Sequence, residues 1–202
     1  MIVIEGGSMM KKIVAILMIS LLFSGTGFAN TDDDLTPKEQ IIKQIISNNY
    51  NYTPIGFFEA ISDGNTSCVD LFLKSGYDPN TTNMKIPAIY FAITKKQPKI
   101  VEQLLNAGVS PNSTVQGRSL LNAAISSKNP ETVKVLIWHG ANVNEESWGI
   151  TPLNLALKKK NAEMVTSLIN AGARVDAEAI KRALNSRSDN IKNTVLTTYK
   201  KQ

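Results

Sequence analysis

One short phrase recurs in this chain at a constant interval. It reads Gly76-Tyr77-Asp78-Pro79-Asn80, then Gly108-Val109-Ser110-Pro111-Asn112, Gly140-Ala141-Asn142-Val143-Asn144 and Gly172-Ala173-Arg174-Val175-Asp176, a period of 32 residues. Self-similarity in this range marks a stacked repeat array, in which each unit buries its apolar face only against its neighbours. Three apolar columns keep the same register. They are Ala60, Ala92, Ala124 and Ala156; Val69, Val101, Val133 and Val165; and the pairs Phe72-Leu73, Leu104-Leu105, Leu136-Ile137 and Leu168-Ile169.

The unit can be read from the copy around Gly149-Ile150-Thr151-Pro152-Leu153. Thr151 suits an N-cap, and Pro152 suits the first helical position, where its missing N–H costs nothing. Leu153, Ala156 and Leu157 share one helical face at i, i+3, i+4 spacing. A polar break follows, then a second helix over residues 162–171 with Met164, Val165, Leu168 and Ile169 as its stripe. Gly172 ends it in the left-handed position that follows many helices. The predicted unit is therefore helix, tight turn, helix, and a loop of roughly ten residues leading to the next copy.

These residues resemble the ankyrin repeat, over residues 50–177. The resemblance implies an all-α solenoid of helix-turn-helix units with short finger loops. There are departures. The Thr-Pro-Leu triplet is intact only at Thr151-Pro152-Leu153; the third copy has Ser119-Leu120-Leu121 and the second is read as Ile86-Pro87-Ala88. The family's His after the triplet is Asn154, Asn122 and Ile89 in the three copies. The glycine of the inter-helix turn survives only as Gly64, replaced by Lys96, Lys128 and Lys160. The period is one residue short of the commonest ankyrin length, which implies slightly clipped fingers.

Terminal units of such arrays meet water on one face and are atypical. Residues 30–49 read as a linker and an N-terminal capping helix with Ile41, Ile42, Ile45 and Ile46 on one side. Residues 50–177 hold four repeats, and residues 178–202 the C-terminal capping helices. Residues 1–29 read as a secretory signal peptide: Met10-Lys11-Lys12, an apolar run over residues 13–23, and small residues up to cleavage after Ala29. The run is far short of the roughly 20 apolar residues a membrane span needs, and the absence of a following Cys excludes a lipid-anchored lipoprotein. Residues 1–8 have no targeting logic and read as a start codon assigned too early. The expected address is the periplasm of a bacterium, or the medium.

The chain is formally +5, and removal of residues 1–29 leaves +4. That mild charge, with no dense basic stripe interleaved with aromatics, argues against nucleic acid. An enzyme needs convergent reactive groups. The lone His139 sits near a helix C-terminus, where a cation is favoured, and the lone Cys68 falls on an apolar helix face. They lie in different repeats and form no metal cluster or Cys-His pair. Glu102, Glu131 and Glu163 fall early in second helices, where acids suit the dipole. No phosphate loop or hydrolase motif is present. No catalytic residue, cofactor, metal or small-molecule substrate is expected.

The resemblance implies that a protein partner is bound by the finger tips and the exposed side of the first helices. Carried over by position, the fingers are residues 80–86, 112–118 and 144–150. The candidate contacts are Asn83, Met84, Ile86, Val115, Gln116, Arg118, Ser147, Trp148 and Ile150, joined by Tyr90 and Asn122 on first helices. Lys158 and Lys159, at an inter-helix turn, are candidates for an acidic partner. Trp148 is the leading anchor, since Trp and Arg dominate binding energies; the alternative is that it folds back over the neighbouring finger. Trp138, beside His139, reads as cover for an adjacent helix; the alternative is a second contact. The expected function is recognition without catalysis, as a scaffold or protective partner of a resident protein; inhibition of a toxin and delivery to a host cell are the alternatives.

Overall fold

A computed structural model describes residues 35–201. The expected signal peptide and start-site artefact lie outside the described residues. Among those residues there are eleven helices: α1 (Pro37–Ser47), α2 (Pro54–Ser62), α3 (Thr66–Lys74), α4 (Ala88–Thr94), α5 (Pro98–Asn106), α6 (Leu120–Ser126), α7 (Pro130–Trp138), α8 (Pro152–Lys158), α9 (Ala162–Asn170), α10 (Ala177–Leu184) and α11 (Asp189–Tyr199).

Local chemistry sets their ends. Thr53, Ser119, Thr151 and Asp176 each accept a hydrogen bond from the backbone three residues on, and so cap α2, α6, α8 and α10. Asn65, Asn129 and Asn161 do the same for α3, α7 and α9. Each such cap contributes about 1 kcal/mol. Thr36 and Glu39 form a capping box on α1. Pro87 occupies the cap position of α4 without a side-chain bond. The second copy's triplet is therefore Pro87-Ala88-Ile89, one residue later than the sequence reading placed it. Tyr90, and not Ile89, aligns with Asn122 and Asn154.

The helices form two layers. The inner layer stacks α2, α4, α6, α8 and α10 in order, and the outer layer stacks α1, α3, α5, α7, α9 and α11. The core runs unbroken between them. All four members of the Ala60 and Val69 columns are fully buried, as are Phe72, Leu104, Leu136 and Leu168. Ile45 extends this last column into α1: it precedes Asn49, which takes a left-handed φ of 66°, by the four residues that separate Phe72 from Gly76. The N-terminal cap is thus an outer helix without an inner one. Burying each such side chain is worth about 1.5–3 kcal/mol, and a continuous stack is what removes them from water.

Candidate protein-binding surface

Inner helices run from the finger side to the inter-helix turns, and outer helices run back. Fingers and turns therefore occupy opposite edges of the stack. Two fingers are antiparallel hairpins, β1 (Thr82–Asn83) with β2 (Ile86–Pro87) and β3 (Thr114–Val115) with β4 (Arg118–Ser119). The third is a single bridge between Ser147 and Ile150. Each has a two-residue turn with both φ values positive: Met84-Lys85, Gln116-Gly117 and Trp148-Gly149. That is the type I′ pattern, whose twist matches the strands it joins.

The turn geometry aims the first residue of each pair outward. Met84 is 90% exposed and Trp148 65% exposed, and Ile86 stands 39% exposed beside Met84. Gln116 is exposed, while Asn83, Val115, Arg118, Tyr90 and Ile150 are partly covered. The Trp148 ring reaches back to the second finger. Its face receives the Arg118 guanidinium at 4.6 Å, and its Nε1 would lie 3.1 Å from a Cβ placed on Gly117. Trp148 thus folds back over the neighbouring finger, a braced ring with much of its surface still open.

Asn122 and Ser147 are placed differently from the open positions expected of them, because both are buried. Ser147 Oγ accepts from the Ser119 N–H at 3.0 Å, and Asn122 Nδ2 donates to the Ile150 carbonyl at 3.3 Å. These bonds fasten the third finger to the second. The matching positions between the first and second fingers hold Val115 and Tyr90, which pack against the core. Lys158 and Lys159 lie on the far edge, away from the fingers. His139 is the C-cap of α7, edge-on to Trp138 at 4.8 Å. Cys68 is buried, and burial pushes its thiol up to about 11. No group of His, Cys, Asp or Glu among the described residues could hold a metal ion.

Sequence reasoning missed a second set of ties. Asn112 Nδ2 donates to the Gly140 carbonyl (3.3 Å) while its Oδ1 accepts from the Asn142 N–H (2.7 Å). Asn144 repeats this with Gly172 (3.2 Å) and Arg174 (2.9 Å). The signal was present, since both are the last residue of the recurring phrase.

Residues 89–179 match the family model of ankyrin repeats (3 copies). Over these residues the chain is similar to ankyrin repeats. Its all-α fold is an ankyrin-repeat solenoid, and ankyrin repeats are in general protein–protein interaction modules. The match begins inside α4, leaving α2 and α3, which no finger precedes, outside it. No curated protein matches the chain. No helix among the described residues is long and apolar enough to cross a membrane.

Proposed function

We propose that this is an exported bacterial ankyrin-repeat protein, periplasmic or secreted, that holds one folded protein partner on its fingers as a scaffold or protector. The observation that carries the binding site is the braced pair of second and third fingers. Trp148 is pre-positioned by Arg118, Gly117 and the Ser147–Ser119 bond, so little ordering entropy is lost when a partner covers it. Preorganisation of this kind raises affinity by lowering the cost of binding. Met84 and Ile86 supply an apolar flank, and Trp148 and Arg118 are of the residue types enriched at binding hot spots. Asn122 and Ser147 act as supports and not as contacts. The signal-peptide pattern of residues 1–29 supports the address.

Two measurements test this. Cell fractionation with N-terminal mass analysis should find the chain outside the cytoplasm, beginning at Asn30. Cross-linking in the periplasmic or secreted fraction, followed by capture, should yield one stoichiometric partner with wild-type protein and none with the Met84→Asp, Trp148→Ala double variant. A cytoplasmic, unprocessed chain overturns the address, and equal capture by both proteins overturns the site.

A further inference from the structure

The edge opposite the fingers has a character that no single repeat reveals. Stacking places the inter-helix turns in a row. The second turn carries Lys95 and Lys96, the third Lys128, the fourth Lys158, Lys159 and Lys160, and the fifth Arg187. No acid lies in any of these four turns. Neighbouring helices pack about 8–10 Å apart, close to the Debye length of about 8 Å in physiological salt. The fields of successive turns therefore overlap along the row.

Two observations characterise this row. The first is pairing. Four cations elsewhere on the stack have acids beside them: Lys74 with Asp70, Lys134 with Glu131 and Glu163, Arg182 with Glu178, and Lys192 with Asp189. Glu131 and Glu163, which follow the third and fourth turns, are already engaged by Lys134, and Asp189, which follows the fifth, by Lys192. Among the described residues no acid pairs with Lys96, Lys128 or the fourth turn's three lysines, and Lys95 rests only on the Phe91 ring. The second is backbone strain. Lys96, Lys128 and Lys160 hold φ values of 58°, 54° and 55°, in the position Gly64 occupies in the first turn. A left-handed conformation costs a side-chain-bearing residue roughly 1–2 kcal/mol. Three successive repeats accept it to put an ammonium there.

We propose that this edge docks on an anionic lipid bilayer surface. From the second turn on the row carries cations only, and among the described residues the one exposed large apolar side chain bordering it is Leu184, at 56%. A folded protein partner requires a desolvated apolar or aromatic core at the contact, which this edge lacks. Single-stranded nucleic acid requires aromatic platforms, and bidentate phosphate recognition favours arginine over lysine; six of the seven cations are lysine. Solvated lysines suit the diffuse field of anionic headgroups, where each contributes about 1 kcal/mol. Docked this way, the stack presents its fingers away from the membrane.

The test is co-sedimentation of the full chain with vesicles of phosphatidylglycerol in phosphatidylcholine, against vesicles of phosphatidylcholine alone. Any insertion by residues 13–23 appears on both, so the difference reports the edge. Wild-type protein should bind only the anionic vesicles in excess of that baseline, and lose binding as salt rises. The Lys96→Asn, Lys128→Asn, Lys160→Asn triple variant keeps a residue that tolerates the left-handed region. It should fold with an undiminished melting temperature and bind on the order of 100-fold more weakly. A second variant, Lys95→Gln with Lys158→Gln, lies outside the strained positions and should lose about tenfold or more. Equal sedimentation on both vesicle types, wild-type binding by both variants, or capture of duplex DNA or polyglutamate in place of the anionic vesicles each overturns the proposal.

Discussion

The Arg118 guanidinium lies over the Trp148 ring, 4.6 Å from its centroid, and joins two consecutive fingers through their side chains. A cation over an indole is worth about 0.5–1 kcal/mol when exposed and more when a partner excludes water from it. Trp148→Ala should therefore weaken partner binding by at least about 2 kcal/mol, roughly 30-fold, with the melting temperature nearly unchanged. Arg118→Ala should give a smaller loss and a shift in Trp148 fluorescence in a Trp138→Phe background. Titration calorimetry against the captured partner checks both, and an unaltered affinity in Trp148→Ala moves the contact off the braced fingers.

Asn112 and Asn144 each hold the backbone of the following repeat by two hydrogen bonds. Their partners are near the surface, so truncation leaves groups that water reaches in part. Asn112→Ala or Asn144→Ala should cost about 1–2 kcal/mol each. Asn80 holds the same place in the phrase, but it is tied locally, its own N–H donating to Asp78 Oδ1. Asn80→Ala should stay within about 0.5 kcal/mol of wild type. Urea unfolding midpoints give the comparison; equal losses at all three sites would deny the ties any special weight.

The stack was legible because its signals are periodic. Val69, Val101, Val133 and Val165 recur at 32 residues and are all buried, and Thr151 caps the helix that its Pro152 begins. What sequence reading placed wrongly turned on polar residues whose burial depends on a neighbouring repeat. Ser147 is short and polar and sits at a finger, which reads as exposed, yet the Ser119 N–H of another repeat covers it. The second triplet was misaligned for a related reason. A Pro suggested the first helical position, but the two-residue turn at Met84-Lys85 fixes the hairpin register and carries Pro87 to the cap. Lys96, Lys128 and Lys160 were legible as the aligned replacements of Gly64, but that they share one edge with Lys95, Lys158 and Lys159 follows only from the stacking of the helices.

Lys128 tests the strain in the turns directly. With φ at 54° and its side chain exposed, it has no packing to lose. Lys128→Gly removes the left-handed penalty and adds chain entropy to the unfolded state, effects of about 1–2 and 0.5–1 kcal/mol in opposite directions. The net expectation is a gain of about 0.5–1 kcal/mol in chemical denaturation. A loss would mean that the lysine makes a stabilising contact.

Cys68 links stability to alkaline pH. Burial raises its thiol to about 11, above the value near 8.5 of an exposed cysteine. The folded state thus binds the proton more tightly, and stability is complete below about pH 8.5 and lost as pH climbs toward 11. Tyr50 and Tyr77, also raised chiefly by burial, act in the same direction. Thermal melts from pH 8 to 11 should fall more steeply for wild type than for Cys68→Ala. Native protein at pH 8 should resist thiol reagents that label the urea-unfolded chain at once; rapid labelling of the native protein would place Cys68 in a locally opening segment.

Thr132 is the exception in an otherwise apolar column. It aligns with Cys68, Ile100 and Met164, is fully buried, and its Oγ1 has no hydrogen-bond partner among the described residues. Its backbone N–H, which Asn129 caps, is untouched by a side-chain change. A buried hydroxyl left without a partner costs about 1–3 kcal/mol, and valine has nearly the same shape. Thr132→Val should therefore stabilise the stack by about 1–2 kcal/mol, while Thr132→Ser, which keeps the hydroxyl and removes a methyl, should destabilise it by about 1 kcal/mol. Denaturation midpoints rank the three proteins. If Val falls below wild type, the hydroxyl is bonded in solution, and the polar position in α7 has a structural purpose.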